Sequence, residues 1–198
     1  DPANPLYESR LAWVHFHAQD LAKARQSYQE LLAKHNDNFK NSAIRDVVHD
    51  TRLALSNVAL KQADFAAAVE YLEQVLDEFP EDAGALNDLG YLWIERGLHL
   101  KRGVAMAERA VAAQPDNPSY RDSLGWGYYQ LGKYPAAVRE LTLAAEKDPS
   151  GVILDHLGDA HLKAGDGAKA REAWQKAAAD FEKDGDKWKI TEPIHAPA

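Results

Sequence analysis

"DSLGWGYYQLG", residues 122–132, sets two glycines and three aromatics within a segment of helical spacing and stops at a third glycine. Such a stretch can be an active-site loop, a phosphate cradle or a packing device. A phosphate cradle needs its glycines at a strand-to-helix turn. Here the apolar spacing is helical from residue 118 to a break near Gly132 and again on to Pro149, the pattern of two amphipathic helices in a hairpin. Glycine inside a helix costs about 1 kcal/mol relative to alanine. Gly125 therefore calls for a compensating close approach of a partner helix, and the glycines are read as a packing device.

The same step recurs along the chain. Leu124-Gly125 is matched by Leu89-Gly90 and Leu157-Gly158, spaced 35 and 33 residues away, and Leu55-Ser56 lies 34 residues before Leu89. A second landmark follows each: "FAAAVEYL" (65–72), "YPAAVREL" (134–141) and "GAKAREAW" (167–174) place an alanine four residues before a large apolar residue. Proline closes the unit at Pro80, Pro115 and Pro149, and a fainter copy opens the chain with Leu11-Ala12 and "LAKARQSY" (21–28).

This pattern resembles the tetratricopeptide repeat, with Leu-Gly, an aromatic, Ala-x3-Phe and a final proline at a period of about 34. The match is strongest over 118–149, where Leu124, Gly125, Tyr128, Gly132, Tyr134, Ala137, Leu141, Ala144 and Pro149 fall in place. The resemblance implies an all-α right-handed superhelical solenoid of antiparallel helix hairpins. It predicts one domain over 1–198, with five repeats at about 5–37, 40–80, 83–116, 118–149 and 151–180. Such hairpins bury little alone and must stack on neighbours.

Three departures from the pattern carry expectations. Leu11 and Leu55 are 44 residues apart, and the stretch from Ser42, read as an N-cap, to Gln62 reads as one helix about three turns longer than usual. Repeat three has an extra residue in its turn and Gly103 where alanine is expected, which predicts less regular packing of its second helix. Residues 181–198 are too short for another hairpin and are read as a tail, with Phe181, Trp188 and Ile190 folding back as a makeshift cap.

Bulk properties narrow the functions. With 31 acidic against 23 basic residues the chain carries a net charge of −8, which repels phosphate backbones, so nucleic acid is not expected as a partner. There is no cysteine, hence no disulfide, thiolate nucleophile or Cys-based zinc site. No run of 18 apolar residues exists, so no membrane insertion is expected. The chain begins at Asp1 rather than methionine, and the compartment stays open between cytoplasm and bacterial envelope.

No catalytic constellation is visible: G-x-S-x-G, the P-loop and the dinucleotide fingerprint are all missing. Neither an enzyme nor a cofactor is expected. Of the eight histidines, His156 and His161 with Asp159 come nearest to a ligand set, but steps of three and five residues do not converge on one helical face, so no metal is expected.

The resemblance places partner binding on a concave face lined by the first helix of each hairpin. Counting along those helices gives Trp13, Asn57, Asn87, Tyr91, Asp122, Trp126, Tyr129, Gln130, Asp155 and Asp159 as the groove, with Trp126, Tyr129, Tyr91 and Asn87 as anchors and Asp122, Asp155 and Asp159 as charge selectors. The same counting adds Ser9, Phe16, His17, Lys61, Ile94, Leu162 and Lys163. Trp126 and Tyr129 alternate with the packing positions Leu124, Gly125 and Tyr128 and are read as free of the core. The lysine, asparagine and arginine clamp by which some family members grip a C-terminal carboxylate is missing, with Ser9, Trp13, Asp122, Ser123, Asp155 and His156 at its places. The expected function is a non-catalytic scaffold or adaptor, holding a basic or apolar protein segment. Two rivals stay open: self-assembly into homo-oligomers by end-to-end stacking, and a regulatory domain of a larger enzyme or transporter.

Overall fold

The computed structural model describes residues 4–36 and 41–183. The helices are α1 (Pro5–His17), α2 (Leu21–His35), α3 (Ser42–Lys61), α4 (Phe65–Glu78), α5 (Ala83–Glu95), α6 (Leu100–Ala113), α7 (Pro118–Gln130), α8 (Tyr134–Lys147), α9 (Gly151–Lys163) and α10 (Gly167–Lys183). Consecutive helices pair into hairpins, giving an all-α solenoid of antiparallel helix pairs. The chain resolves into two compact units, one reaching to Leu89 and the other starting at Gly90, so the division falls within α5.

The hairpin turns share one design. Four are three residues long and put their middle residue in the left-handed region: Gln19, Ala63, Gly132 and Gly165 have φ of 60°, 58°, 73° and 91°. The third turn has the extra residue read from the sequence and needs two positive-φ residues, Gly97 and His99. An aspartate then caps the second helix in three hairpins, where Asp20, Asp64 and Asp166 accept from the backbone N–H of Lys23, Ala67 and Lys169.

In the first unit the core gathers Ala12, Ala24, Tyr28, Leu55 and Val58, with Phe16, Leu21 and Tyr71 packed against it. Helix α3 has 20 residues against 13 in α1, α7 and α9, so it is about two turns longer rather than the three expected. Ser42 lies inside the helix and Asn41 is the N-cap, its side chain accepting from the Ile44 N–H. The added turns are tied down by charge: Arg45 and Arg52 each donate to the Glu78 carboxylate at 2.9 Å, and Arg52 also reaches Asn36 Oδ1 at 2.7 Å.

In the second unit Ile94, Val104, Leu124, Leu141 and Leu157 form the core, and small residues let the helices meet. A Cβ on Gly125 would come within 2.6 Å of the Leu141 side chain of its own hairpin. A Cβ on Gly90 would meet the Gly103 carbonyl oxygen at 2.9 Å, so α5 and α6 approach backbone to backbone. Gly103 therefore marks the tightest kind of contact in its hairpin, which corrects the expectation of looser packing there. The Gly151 N–H donates to the Asp180 carboxylate, and the Phe181 ring covers Gly151 from α10. Trp188 and Ile190, the other two residues of the expected cap, lie outside the described residues.

Candidate functional site

Helices α7 and α9 and the last turn of α5 present their inward faces together in the second unit. Asn117 caps α7, accepting from the N–H groups of Ser119 and Tyr120, and Pro118 fits the first turn because its missing N–H would have had no helical partner. On α7 the step from Asp122 to Trp126 to Tyr129 keeps three side chains on one stripe. Trp126 stacks on Tyr129 with ring centres 4.6 Å apart, and the imidazole of His156, from α9, also stacks on the indole, at 4.3 Å. The indole N–H of Trp126 donates to Glu95 Oε2 at 3.0 Å. His156 Nδ1 pairs with Asp122 Oδ1 at 2.9 Å.

These contacts bury the aromatics. Trp126 is 6% exposed and Tyr129 8%, so the reading that they stand free of the core is corrected. Their position on the stripe is as counted, but His156 from α9 and the edge-on ring of Tyr134 close over them. Asp122 and Asn87 are likewise buried, and Ile94 is fully buried beneath Gly127 rather than lining a groove. The carboxylates that remain at the surface are Glu95 and Asp155, with Asp159, Gln130 and Tyr91 half-buried around them.

The electrostatics follow from this layering. Burial disfavours the His156 imidazolium, yet the Asp122 hydrogen bond and the fields of Asp122, Asp155 and Glu95 outweigh it and hold its pKa above the usual histidine value. Burial also raises the Tyr91 phenol, with Glu95 and Asp122 adding to it, and pushes Tyr129 up to about 12 with help from Asp159. Asp155 is raised by partial desolvation, against which His156 pulls. One imidazole, its protonated form favoured by these neighbours, thus sits among several carboxylates, of which Glu95 and Asp155 face solvent.

Of the residues counted from the sequence, the structure brings Tyr91, Asp122, Trp126, Tyr129, Asp155 and Asp159 into this assembly. Asn57, Asn87 and Trp13 belong to the first unit, where Asn57 is exposed, Asn87 is buried with Oδ1 unpartnered, and Trp13 is 40% exposed with Arg10 over its ring and the tilted ring of His17 against it. The sequence reading missed Glu95 and His156 as members of the site. Glu95 occupies the register of Gln130 one repeat earlier, so counting one more turn finds it. His156 enters the sequence reading only as a metal-ligand candidate and as a non-matching residue at a clamp position. Among the described residues no three His, Asp or Glu side chains gather as a metal site would need, and no helix is long and apolar enough to cross a membrane.

The tetratricopeptide repeat family model matches residues 53–118 and 99–152, and a second model of the same repeat matches 9–37. The chain belongs to the tetratricopeptide repeat family. It is 32% identical over 137 residues to TPR repeat-containing protein PA4667 of Pseudomonas aeruginosa, covering 69% of this chain but 22% of that protein. It is 39% identical over 83 residues to TPR repeat-containing protein PA0015 of the same organism, covering 40% of this chain and 77% of that one. These relatives place it with bacterial members of the family, and the chain spans about a fifth of the length of PA4667. Among solved structures, MamA from Desulfovibrio magneticus RS-1 superposes with a TM-score of 0.73 at 18% identity, over 92% of this chain and 97% of that one. TTC0263, a thermophilic TPR protein in Thermus thermophilus, gives 0.68 at 18% identity, over 92% and 94%. At such identities the likeness concerns fold alone. Tetratricopeptide solenoids serve in general as protein-interaction scaffolds, and this chain shares that fold.

Proposed function

We propose that this scaffold holds a positively charged, partly aliphatic segment of a partner protein against the inward face of α7 and α9, and that it does so without catalysis. The observation that carries the reading is the layering around Trp126: a rigid floor of stacked Tyr129, Trp126 and His156, bordered by Glu95, Asp155 and Asp159. Because these rings are packed and buried, they hold the carboxylates around them in fixed positions, so a partner meets a preorganised border without a large ordering cost. Surface carboxylates gathered around it favour lysine or arginine and repel acidic segments. Trp126 and Tyr129 act here as floor, and the selecting charges are Glu95, Asp155 and Asp159 over the internal Asp122–His156 pair.

Self-assembly by end-to-end stacking is the weaker alternative. Where Val104 of α6 packs on the next hairpin at Gly127, the same register of α10 carries Arg171, and the neighbouring Glu172, Gln175 and Lys176 are all exposed. A polar last helix offers little for another copy to bury.

The test is fluorescence anisotropy with two labelled peptide pools, one of mixed Lys/Arg and Leu, the other of mixed Glu and Leu, titrated with the chain and with a Glu95→Gln, Asp155→Asn variant. Binding of the basic pool alone, weakened at least about tenfold in the variant, is expected, equivalent to about 1.4 kcal/mol. Equal binding of both pools, or an unaffected variant, overturns the reading.

A further inference from the structure

Helix α1 is apolar on both sides. Its inner side supplies Ala12 to the first core, yet Tyr7, Leu11 and Val14, spaced to share one face, are 62%, 56% and 48% exposed, and Leu6 beside them is 59% exposed. A helix that is apolar all round is normally covered all round.

The repeat itself shows what covers this face elsewhere. Leu11 stands in register with Leu55, Leu89, Leu124 and Leu157, which are between 0% and 9% exposed. Tyr7 is in register with Thr51, Ala85 and Ile153, which are between 0% and 4% exposed, and with Tyr120, which is half-buried. Val14 is in register with Val58 and Ala160, both fully buried, with Gly127, and with Leu92, which is half-buried. At Gly127 the neighbour is defined: a Cβ there would lie 2.7 Å from Val104 on the second helix of the preceding hairpin and 2.9 Å from Ile94 on its first. The glycines of the Leu-Gly step point elsewhere, Gly125 to Leu141 and Gly158 to Trp174 of their own hairpins. The outer face of α1 is thus the continuation of the interface by which one hairpin receives the previous one.

We infer that the outer face of α1 seats a further tetratricopeptide-type hairpin of the same polypeptide, on the N-terminal side, whose second helix lays an aliphatic residue on Leu11 and Val14. A second copy is the poorer occupant, because the end helix it would offer, α10, carries Arg171 at the position where the seat calls for a residue like Val104. The length of the relatives agrees with a longer array, since the matched stretch is 22% of PA4667.

The experiment compares the chain of 198 residues with the polypeptide extended on its N-terminal side by the next stretch of its own reading frame, about one repeat of roughly 34 residues. Amide hydrogen exchange in α1 is expected to slow by about tenfold or more in the extended polypeptide, because burial removes the fraying that an uncovered terminal helix allows. A Leu11→Ser, Val14→Ser variant is expected to leave the melting temperature of the 198-residue chain nearly unchanged and to lower that of the extended one. Three results overturn the inference: no helical hairpin in the extension, α1 exchange unaltered by it, or a 198-residue chain that sediments as a dimer and becomes monomeric in the variant.

Discussion

His156 is an imidazole held inside a tetratricopeptide core, stacked on Trp126 and paired with Asp122 at 2.9 Å. Its pKa in the fold lies above the value of about 6.5 expected in an unfolded chain. The sign follows from linkage: the fold binds this proton more tightly than the unfolded chain, so the stabilisation is fully present below the unfolded pKa and is lost as pH rises through the folded one. Urea unfolding at pH 6 and pH 9 is expected to show the stability gap between the wild-type chain and His156→Gln shrinking at the higher pH. A gap of the same size at both pH values would mean that the imidazole works by packing alone. Lys133 offers a second test at this scale. It occupies the N-cap of α8 with no side-chain hydrogen bond, while the matching Asp20, Asp64 and Asp166 all cap. Its backbone, at φ −87° and ψ 57°, already lies close to that of Asp64 at −93° and 74°. Lys133→Asp is expected to gain about 1 kcal/mol from the cap and to lose about 0.5 kcal/mol from the Lys133 contact over the Tyr128 ring. A rise in melting temperature of about 2 °C checks it. Sequence reasoning placed Trp126 on the right stripe but left it exposed. Register tells which way a side chain points from its own helix, whereas burial depends on what the next helix brings over it, and here that is His156.

At the scale of the helix pair, the Leu-Gly step is legible because it solves a problem every hairpin meets. The apolar period and the left-handed turn residues announce two helices, and the glycine announces how closely they pack. The α5–α6 pair is the extreme case, since a Cβ on Gly90 would meet a backbone oxygen of Gly103, where Leu141 opposite Gly125 is at least a side chain. Gly90→Ala gains about 1 kcal/mol in helix propensity, yet overpacking against backbone costs typically about 1–3 kcal/mol. The variant is expected to unfold at a lower urea concentration than wild type, and by a wider margin than Gly125→Ala. Equal midpoints would show that α6 can slide away without cost. The length of α3 was only partly legible. The ten surplus residues were visible, but how many join the helix depends on which residue caps it, and Asn41 competes with Ser42 for that place one position earlier.

Over the whole molecule the acidic excess sets two responses to salt of opposite sign. A net charge of −8 repels itself in the folded state, and this repulsion is screened as the Debye length falls from about 10 Å at 0.1 M to about 3 Å at 1 M. The partly buried pairs that hold the helices, such as Arg52 with Glu78 and Asp122 with His156, are screened much less. Sodium chloride is therefore expected to raise the melting temperature modestly. Attraction of a cationic segment to Glu95, Asp155 and Asp159 acts across solvent and is expected to weaken over the same range, about tenfold or more in Kd. Melting curves and peptide titrations in one salt series separate the two. If salt weakened binding and fold together, loss of binding would report loss of structure. If binding held constant, an apolar contact rather than the carboxylate border would carry the affinity. Only opposite trends assign the affinity to surface charge on an intact scaffold, and that is the behaviour the acidic border over a stacked aromatic floor predicts.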